Sequence, residues 1–73
     1  MVVVRLFATL REGRGKEVAM EWEMGMSPRR VILSLNIEER DVSILLVNGM
    51  DATLDTELAD NDIVAIFPPV GGG

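Results

Sequence analysis

Alternating apolar and polar residues predict two strands in the first third of the chain. Residues 2–8 are apolar and largely β-branched, and Arg5 marks the side that faces water. Residues 17–23 alternate more regularly, with glutamates on one side and larger apolar residues, including Trp22, on the other. This period of two is typical of half-buried strands. In the first strand it assigns the inward face to Val2, Val4, Leu6 and Ala8.

The stretch between these strands predicts a loop. Residues 9–16 contain two glycines and four charged residues. Glycine interrupts regular structure, and charged side chains favour water. We therefore expect the first two strands to form an antiparallel hairpin around this loop.

The pair Ser27–Pro28 predicts the start of a helix. A serine hydroxyl can cap the first turn, and proline fits the first helical position. Apolar residues follow at helical spacing between positions 31 and 35. Asn36 suits the left-handed conformation that often ends a helix. We expect a helix of two to three turns.

The second half of the chain predicts three more strands. Residues 43–47 lead into Asn48–Gly49, a dipeptide that strongly favours a tight hairpin. A short strand near residues 50–53 follows. Asp60–Asn61–Asp62 reads as a tight turn with Asn61 at positive φ, before a last apolar strand at residues 63–67.

This order of elements predicts an α+β fold, the ubiquitin-like β-grasp (ββαββ). A long crossover through the helix favours parallel pairing of the first and last strands at the middle of a mixed sheet. The single helix then packs on one face of the sheet. We assign residues 1–69 to this domain and residues 70–73 to a flexible glycine tail.

The face of the sheet opposite the helix is expected to carry an apolar surface. If the terminal strands are neighbours, Phe7 and Phe67 lie close together on that face, and Leu46 or Ile44 extends the surface from the third strand. Contiguous exposed apolar side chains usually mark a partner-binding site. The alternative is that one of these residues belongs to the core.

Composition narrows the possible functions. The 73 residues carry a net charge of −5, which disfavours nucleic acid and anionic membranes as partners and suits a basic protein surface. Without cysteine or histidine, the chain lacks the commonest metal ligands and the commonest general base. We expect no metal site, and we interpret Asp60 and Asp62 as turn residues. No stretch resembles a membrane span or signal peptide, which predicts a cytoplasmic protein.

The C-terminal residues carry the most specific signal. Pro68 and Pro69 follow the last strand directly and end its pairing, because proline has no backbone donor. Gly71, Gly72 and Gly73 then lead to the carboxylate. Four residues beyond Pro69 reach at most about 13 Å when extended. Such a narrow tail can enter a slot that larger side chains would block. A plain linker is the alternative interpretation of a glycine run.

Four stretches of the chain resemble the MoaD/ThiS family of sulfur carriers, and most closely its MoaD branch, the small subunit of molybdopterin synthase. The resemblance covers nearly the whole chain, and the ending from Phe67 onward is its most specific part. The stretches are Val4–Ala8 with Arg11–Glu12, Val47–Asn48–Gly49, Asp60–Asn61–Asp62, and Val64–Gly73.

The resemblance implies a chemistry at the C-terminus. An E1-like enzyme would use ATP to adenylate the carboxylate of Gly73, and a sulfur donor would convert it to a thiocarboxylate. The tail, Gly71 to Gly73, would enter the large synthase subunit and deliver sulfur to the pterin precursor of the molybdenum cofactor. Phe7 and Phe67 match partner-contact positions. The chain itself would bind no cofactor and would be a non-catalytic subunit, with catalytic residues in the partner.

Several alternatives remain open at this point. The chain could carry sulfur for another pathway, such as synthesis of the thiamine thiazole. It could be a ubiquitin-like modifier joined to lysines through Gly73, or a binding module with an inert tail. Arg11 and Glu12 are candidates for contacts with the activating enzyme, or simply for a solvated loop or a local ion pair.

Overall fold

The computed structural model describes residues 1–70 and shows one five-stranded mixed sheet. The strand order is β2-β1-β5-β3-β4, with β1 and β5 parallel and the other pairs antiparallel. The predicted β-grasp and its central parallel pair are confirmed. The strands are β1 (Val2–Leu6), β2 (Glu17–Met20), β3 (Ile44–Val47), β4 (Met50–Asp51) and β5 (Ile63–Phe67).

One helix, α1 (Pro28–Ser34), covers one face of the sheet. Its predicted end is confirmed: Asn36 has φ 58°, and the N–H of Ile37 donates to the carbonyl of Ile32 at 2.9 Å, which closes the last turn. The predicted hydroxyl cap is wrong, because the Ser27 side chain makes no capping hydrogen bond. The Leu54 carbonyl instead accepts from the Arg29 N–H at 2.9 Å.

The predicted antiparallel hairpin of β1 and β2 is confirmed, but the connection between them differs from the predicted loop. β1 ends at Leu6, and Ala8–Arg11 form a 3-10 turn that begins with Ala8 at φ 54°. Ala8 is exposed, so its predicted inward position is wrong. Leu10 from the turn is buried in its place. The chain leaves the plane of the sheet here, and a period of two no longer applies.

The outer strands are shorter than their alternation predicts. β2 ends at Met20 and β4 at Asp51. Trp22 nevertheless lies inward as predicted, because its indole N–H donates to the Leu58 carbonyl at 2.7 Å. The side chain of Trp22 therefore still packs against the core, two residues after β2 has ended.

The hydrophobic core lies between α1 and the sheet. Alternate residues of the two central strands point into it and are completely buried. A second 3-10 turn (Glu39–Asp41) connects the helix side to β3. Within residues 1–70, no helix is long and apolar enough to cross a membrane. The core residues are Val2, Val4, Leu6, Leu10, Met26, Val31, Ile32, Ile37, Leu45, Val47, Leu58, Val64 and Ile66.

The two predicted tight turns meet at one end of the sheet. Asn48 and Asn61 have φ of 53° and 73°, in the left-handed region that asparagine tolerates. The Asn48 amide donates to Asp62 at 2.8 Å, and the Asp62 carboxylate also accepts from the Ala59 N–H at 2.8 Å. Asp62 therefore serves turn structure as predicted. Residues 1–70 contain no group of three acidic, histidine or cysteine side chains that could hold a metal ion.

Candidate functional site

Phe7 and Phe67 form a stacked pair on the open face of the sheet. The parallel register places Leu6 opposite Ile66, so Phe7 follows beside Phe67. The ring centroids are 4.1 Å apart and the ring planes differ by 9°. Each residue is half-buried. The structure thus brings the two residues together as the alternation predicted, while their role in binding remains a prediction.

Ile44 extends the aromatic pair from β3. It lies opposite Phe67 in the antiparallel register and is 47% exposed. The other candidate, Leu46, lies on the same face two residues further along β3, opposite Ala65. We call Phe7, Ile44 and Phe67 the aromatic patch. The Asn48–Gly49 hairpin fixes the register of β3 on β4, whereas the position of Ile44 beside Phe67 depends on the register of β3 on β5.

A shallow pocket joins the aromatic patch to the base of the tail. Its volume is about 300 Å³, and its walls include Pro68, Pro69 and Val70 as well as the patch and Ala8. The last sheet hydrogen bond runs from the Ser43 N–H to the Phe67 carbonyl at 2.8 Å. Val70 is 93% exposed. Gly71, Gly72 and Gly73, which include the predicted reacting group, lie outside the described residues.

The 3-10 turn after β1 places Arg11 at the rim of the aromatic patch. Its Nε donates to the Leu6 carbonyl at 2.8 Å, and its guanidinium carbon lies 5.4 Å from the centre of the Phe7 ring. This geometry is that of a cation–π contact. Among residues 1–70 neither Arg11 nor the adjacent Glu12 forms an ion pair, so the local ion pair considered above is absent there.

Arg14 fastens the same loop to the helix. Its guanidinium donates to the carbonyls of Leu10, Leu35 and Asn36 at 3.1, 2.9 and 3.2 Å. Two of these carbonyls lie at the C-terminal end of α1, where the helix dipole favours a positive charge. Sequence reasoning missed this contact, because it joins residues more than twenty positions apart. The only available signal was an arginine in a loop that must return to the sheet.

A cluster of one arginine and two carboxylates lies on the helix side, away from the aromatic patch. Arg29 on α1 donates to the Asp55 carboxylate at 3.0 and 3.2 Å and to Glu39 at 3.1 Å. The hydrogen bond from Arg29 holds the pKa of Asp55 below its ordinary value, and the two carboxylates raise the pKa of Arg29. This cluster connects three segments around the helix, and we assign it a structural role.

The arrangement on the open face is therefore suited to binding. An aromatic stack, an apolar pocket and a positioned guanidinium surround the point where the tail leaves the sheet. Residues 1–70 place no group of potential metal ligands there. What these residues can do is hold another protein's surface against the base of the tail.

Known structures with this fold include three informative neighbours. SAMP1 from Haloferax volcanii is 26% identical, with a TM-score of 0.78, covering 99% of this chain and 98% of its own. A protein assigned as molybdopterin converting factor subunit 1 from Pyrococcus furiosus is 30% identical, with a TM-score of 0.75, covering 94% and 97%. Subunits 1 and 2 of the molybdopterin-converting factor from Helicobacter pylori form a complex that also matches. That match has 24% identity, a TM-score of 0.64 and coverage of 99% and 97%, and it supports the fold alone.

The sequence itself matches a model of the ThiS family over residues 4–73. This match spans both the β-grasp domain and the glycine tail. The neighbours named as a molybdopterin converting factor subunit agree with the resemblance to sulfur carriers of the MoaD/ThiS type. The chain therefore belongs to the ThiS family, within the ubiquitin-like β-grasp fold of the MoaD/ThiS sulfur carriers.

Proposed function

We propose that this chain is a sulfur carrier that works through the carboxylate of Gly73. An E1-like enzyme adenylates that carboxylate with ATP, and a sulfur donor replaces the adenylate to form a thiocarboxylate. The carrier then donates its sulfur to the pterin precursor of the molybdenum cofactor. In this proposal the chain is the small subunit of molybdopterin synthase, and the catalytic acids and bases belong to its partners.

The observation that carries the proposal is the continuity of the aromatic patch with the tail. Phe67 is both a member of the patch and the last residue of β5, and Pro68 and Pro69 follow it in the wall of the same pocket. A partner that covers the patch therefore holds the base of the tail. Val70 to Gly73 follow Pro69 and reach at most about 13 Å when extended, so Gly73 stays within that distance of the base that the partner holds.

The residue types in the tail suit acyl activation. A carboxylate is a poor electrophile until one oxygen becomes part of a good leaving group, and adenylation provides that leaving group. Glycine leaves the acyl carbon open to attack and lets the tail enter a narrow site. These properties support the role of Gly73, with Gly71 and Gly72 leading it into the partner.

The proposed partners are an E1-like adenylating enzyme, a sulfur donor and the large subunit of molybdopterin synthase. The neighbour from Pyrococcus furiosus, at 30% identity, is described as subunit 1 of a molybdopterin converting factor. This neighbour supports the choice of the molybdenum cofactor pathway over thiazole synthesis. Copurification of the large synthase subunit, rather than a thiazole synthase, would separate the two pathways.

The test is the intact mass of the chain after incubation with ATP, a cognate E1-like enzyme and a sulfur source. We expect an increase equal to the mass difference between sulfur and oxygen. A variant with one alanine appended after Gly73 should show no increase and should unfold at the same urea concentration as the wild type. Sulfur transfer by the extended variant, or no increase in the wild type with an enzyme active on another carrier, would refute the proposal.

A second candidate function is protein modification. SAMP1, at 26% identity, is also described as small archaeal modifier protein 1. If this chain is a modifier, Gly73 would be joined to lysine amines by isopeptide bonds. Mass spectrometry of conjugates purified from cells through an N-terminal tag on this chain would detect such bonds.

A further inference from the structure

The fold holds the Arg11 side chain at the rim of the aromatic patch. Its Nε is bound to the Leu6 carbonyl, and its guanidinium lies against Phe7. Within residues 1–70, the other two guanidinium nitrogens have no hydrogen-bond acceptor and no carboxylate within 4.0 Å. The side chain is therefore positioned by the fold, while its outer donors have no partner in the part of the chain that the structure describes.

The other arginines are committed to partners inside the chain. Arg5, Arg29, Arg30 and Arg40 each pair with a carboxylate, and Arg14 binds three backbone carbonyls. Carboxylates are plentiful, since the chain has 12 acidic residues and 7 basic ones. Glu12 is even the next residue in the chain. The free donors of Arg11 therefore do not reflect a shortage of acidic groups.

A cation borders the aromatic patch, although the protein as a whole is acidic. The net charge is −5, yet the pocket beside the patch has no charged residue in its walls, and the cation at its rim is Arg11. A guanidinium offers two parallel donors that match the oxygens of a carboxylate. Because the Leu6 and Phe7 contacts already orient the side chain, binding such a group would cost little additional ordering.

We infer that Arg11 determines specificity at this surface by binding a carboxylate that the partner carries beside an apolar side chain seated on the aromatic patch. The inference rests on the proposed function, because the partner concerned is the enzyme that adenylates Gly73. The net charge alone predicts that the partner presents a basic surface. This inference predicts instead that the partner's surface is apolar and carries a carboxylate where it meets Arg11.

The test measures ATP–pyrophosphate exchange by the adenylating enzyme with wild type, Arg11→Gln, Arg11→Lys and Arg30→Gln. Arg30 lies on α1, on the other side of the sheet, and pairs with Glu23, so Arg30→Gln is a control with the same change in net charge. We expect Arg11→Gln to raise KM about tenfold at unchanged kcat, since hydrogen bonds to charged groups have this order of strength. Its KM should also depend less on salt. Arg11→Lys should raise KM less than Arg11→Gln does, because lysine keeps the positive charge but lacks the two parallel donors of the guanidinium.

Two outcomes would overturn the inference: a wild-type KM for Arg11→Gln, or an equal rise for Arg30→Gln. Fluorescence of Trp22, the single tryptophan, reports whether each variant is folded under assay conditions. If Arg11→Gln is unfolded, Arg11→Lys decides, and a wild-type KM for it would overturn the inference. A wild-type chain that is not adenylated at all would refute the proposed function as well. Adenylation of the wild type with no response to Arg11 would refute only this inference.

Discussion

Neighbouring residues on the two faces of one sheet have very different surroundings. Ile66 in β5 is completely buried under α1, whereas Phe67, the next residue, is half-exposed on the open face. Across the register, Leu45 lies opposite Ile66 and is buried, while Ile44 lies opposite Phe67 and is 47% exposed. All four side chains are apolar, so hydrophobicity alone does not separate the faces.

The difference shows how a small chain divides its apolar residues. One helix can cover only one face of the sheet, so the strands supply the core from one set of alternate positions and an exposed apolar surface from the other. Stacking of Phe7 on Phe67 removes part of their surface from water without a covering element. The core face should therefore govern stability and the open face association.

The largest expected effect is on the helix-covered face. Ile66→Ala should lower the free energy of unfolding by about 2–5 kcal/mol, because it leaves a cavity in a core that cannot fully collapse. The matched control is Ile44→Ala, the same substitution across the register on the open face, which should cost much less. Urea unfolding followed by Trp22 fluorescence measures both. Equal losses of unfolding free energy in the two variants would contradict the expectation that the helix-covered face governs stability.

An intermediate effect on stability, with a larger one on binding, is expected for Phe7→Ala. Since Phe7 is half-buried, the loss should be about 1–2 kcal/mol, below the roughly 3 kcal/mol or more typical of core phenylalanines. Affinity for the adenylating enzyme should fall further than stability does. Leu33→Ala, which truncates an exposed apolar residue of α1, is the control and should leave affinity unchanged. A core-sized stability loss at wild-type affinity would place Phe7 functionally in the core.

The smallest expected effect concerns the ion pair around α1. The folded-state pKa of Asp55 lies below its ordinary value of 3.8 because Arg29 donates to the carboxylate. The pair therefore stabilises the fold above that value, and its contribution is lost as pH falls through the lower folded pKa. Asp55→Asn should be slightly less stable than wild type at neutral pH, and the difference should vanish in acid.

Asp55→Asn should leave affinity for the adenylating enzyme unchanged, since Asp55 lies on the helix side of the sheet. Glu57→Gln removes a nearby charge that has no ion pair among residues 1–70, and it should not reproduce the pH dependence. Urea midpoints measured across the acid range test the expectation. A difference between Asp55→Asn and wild type that persists at low pH would mean that the pair is not its cause.

Most of the fold could be predicted because its signals are local. Alternation located β1 and β2, and the apolar stretches beside the predicted turns located β3, β4 and β5. Asn36 and Asn61 occupy the predicted left-handed conformations. The errors fall where tertiary contacts replace local ones. The Leu54 carbonyl caps α1 instead of Ser27, and β1 gives way to a 3-10 turn that buries Leu10.

The candidate site was predicted less completely. Phe7 and Phe67 could be paired from sequence because a parallel central pair makes them neighbours. Ile44 could not be chosen over Leu46 without the register of β3 on β5. The positions of Arg11 and Arg14 depend on side-chain hydrogen bonds to carbonyls of other segments, and no periodic pattern encodes such bonds.

By itself, the sequence determined the order of elements, the apolar alternation and a proline–glycine ending suited to acyl chemistry. These features depend on backbone preferences of residues close together in the chain, which act before any tertiary contact forms. The tertiary structure alone decided that Ile44 completes the aromatic patch, where Arg11 lies and how the patch joins the base of the tail. These positions depend on strand register and on contacts between segments that are distant in the chain. The single helix covers one face of the sheet, so the pairing of the strands decides which side chains are neighbours on the other face.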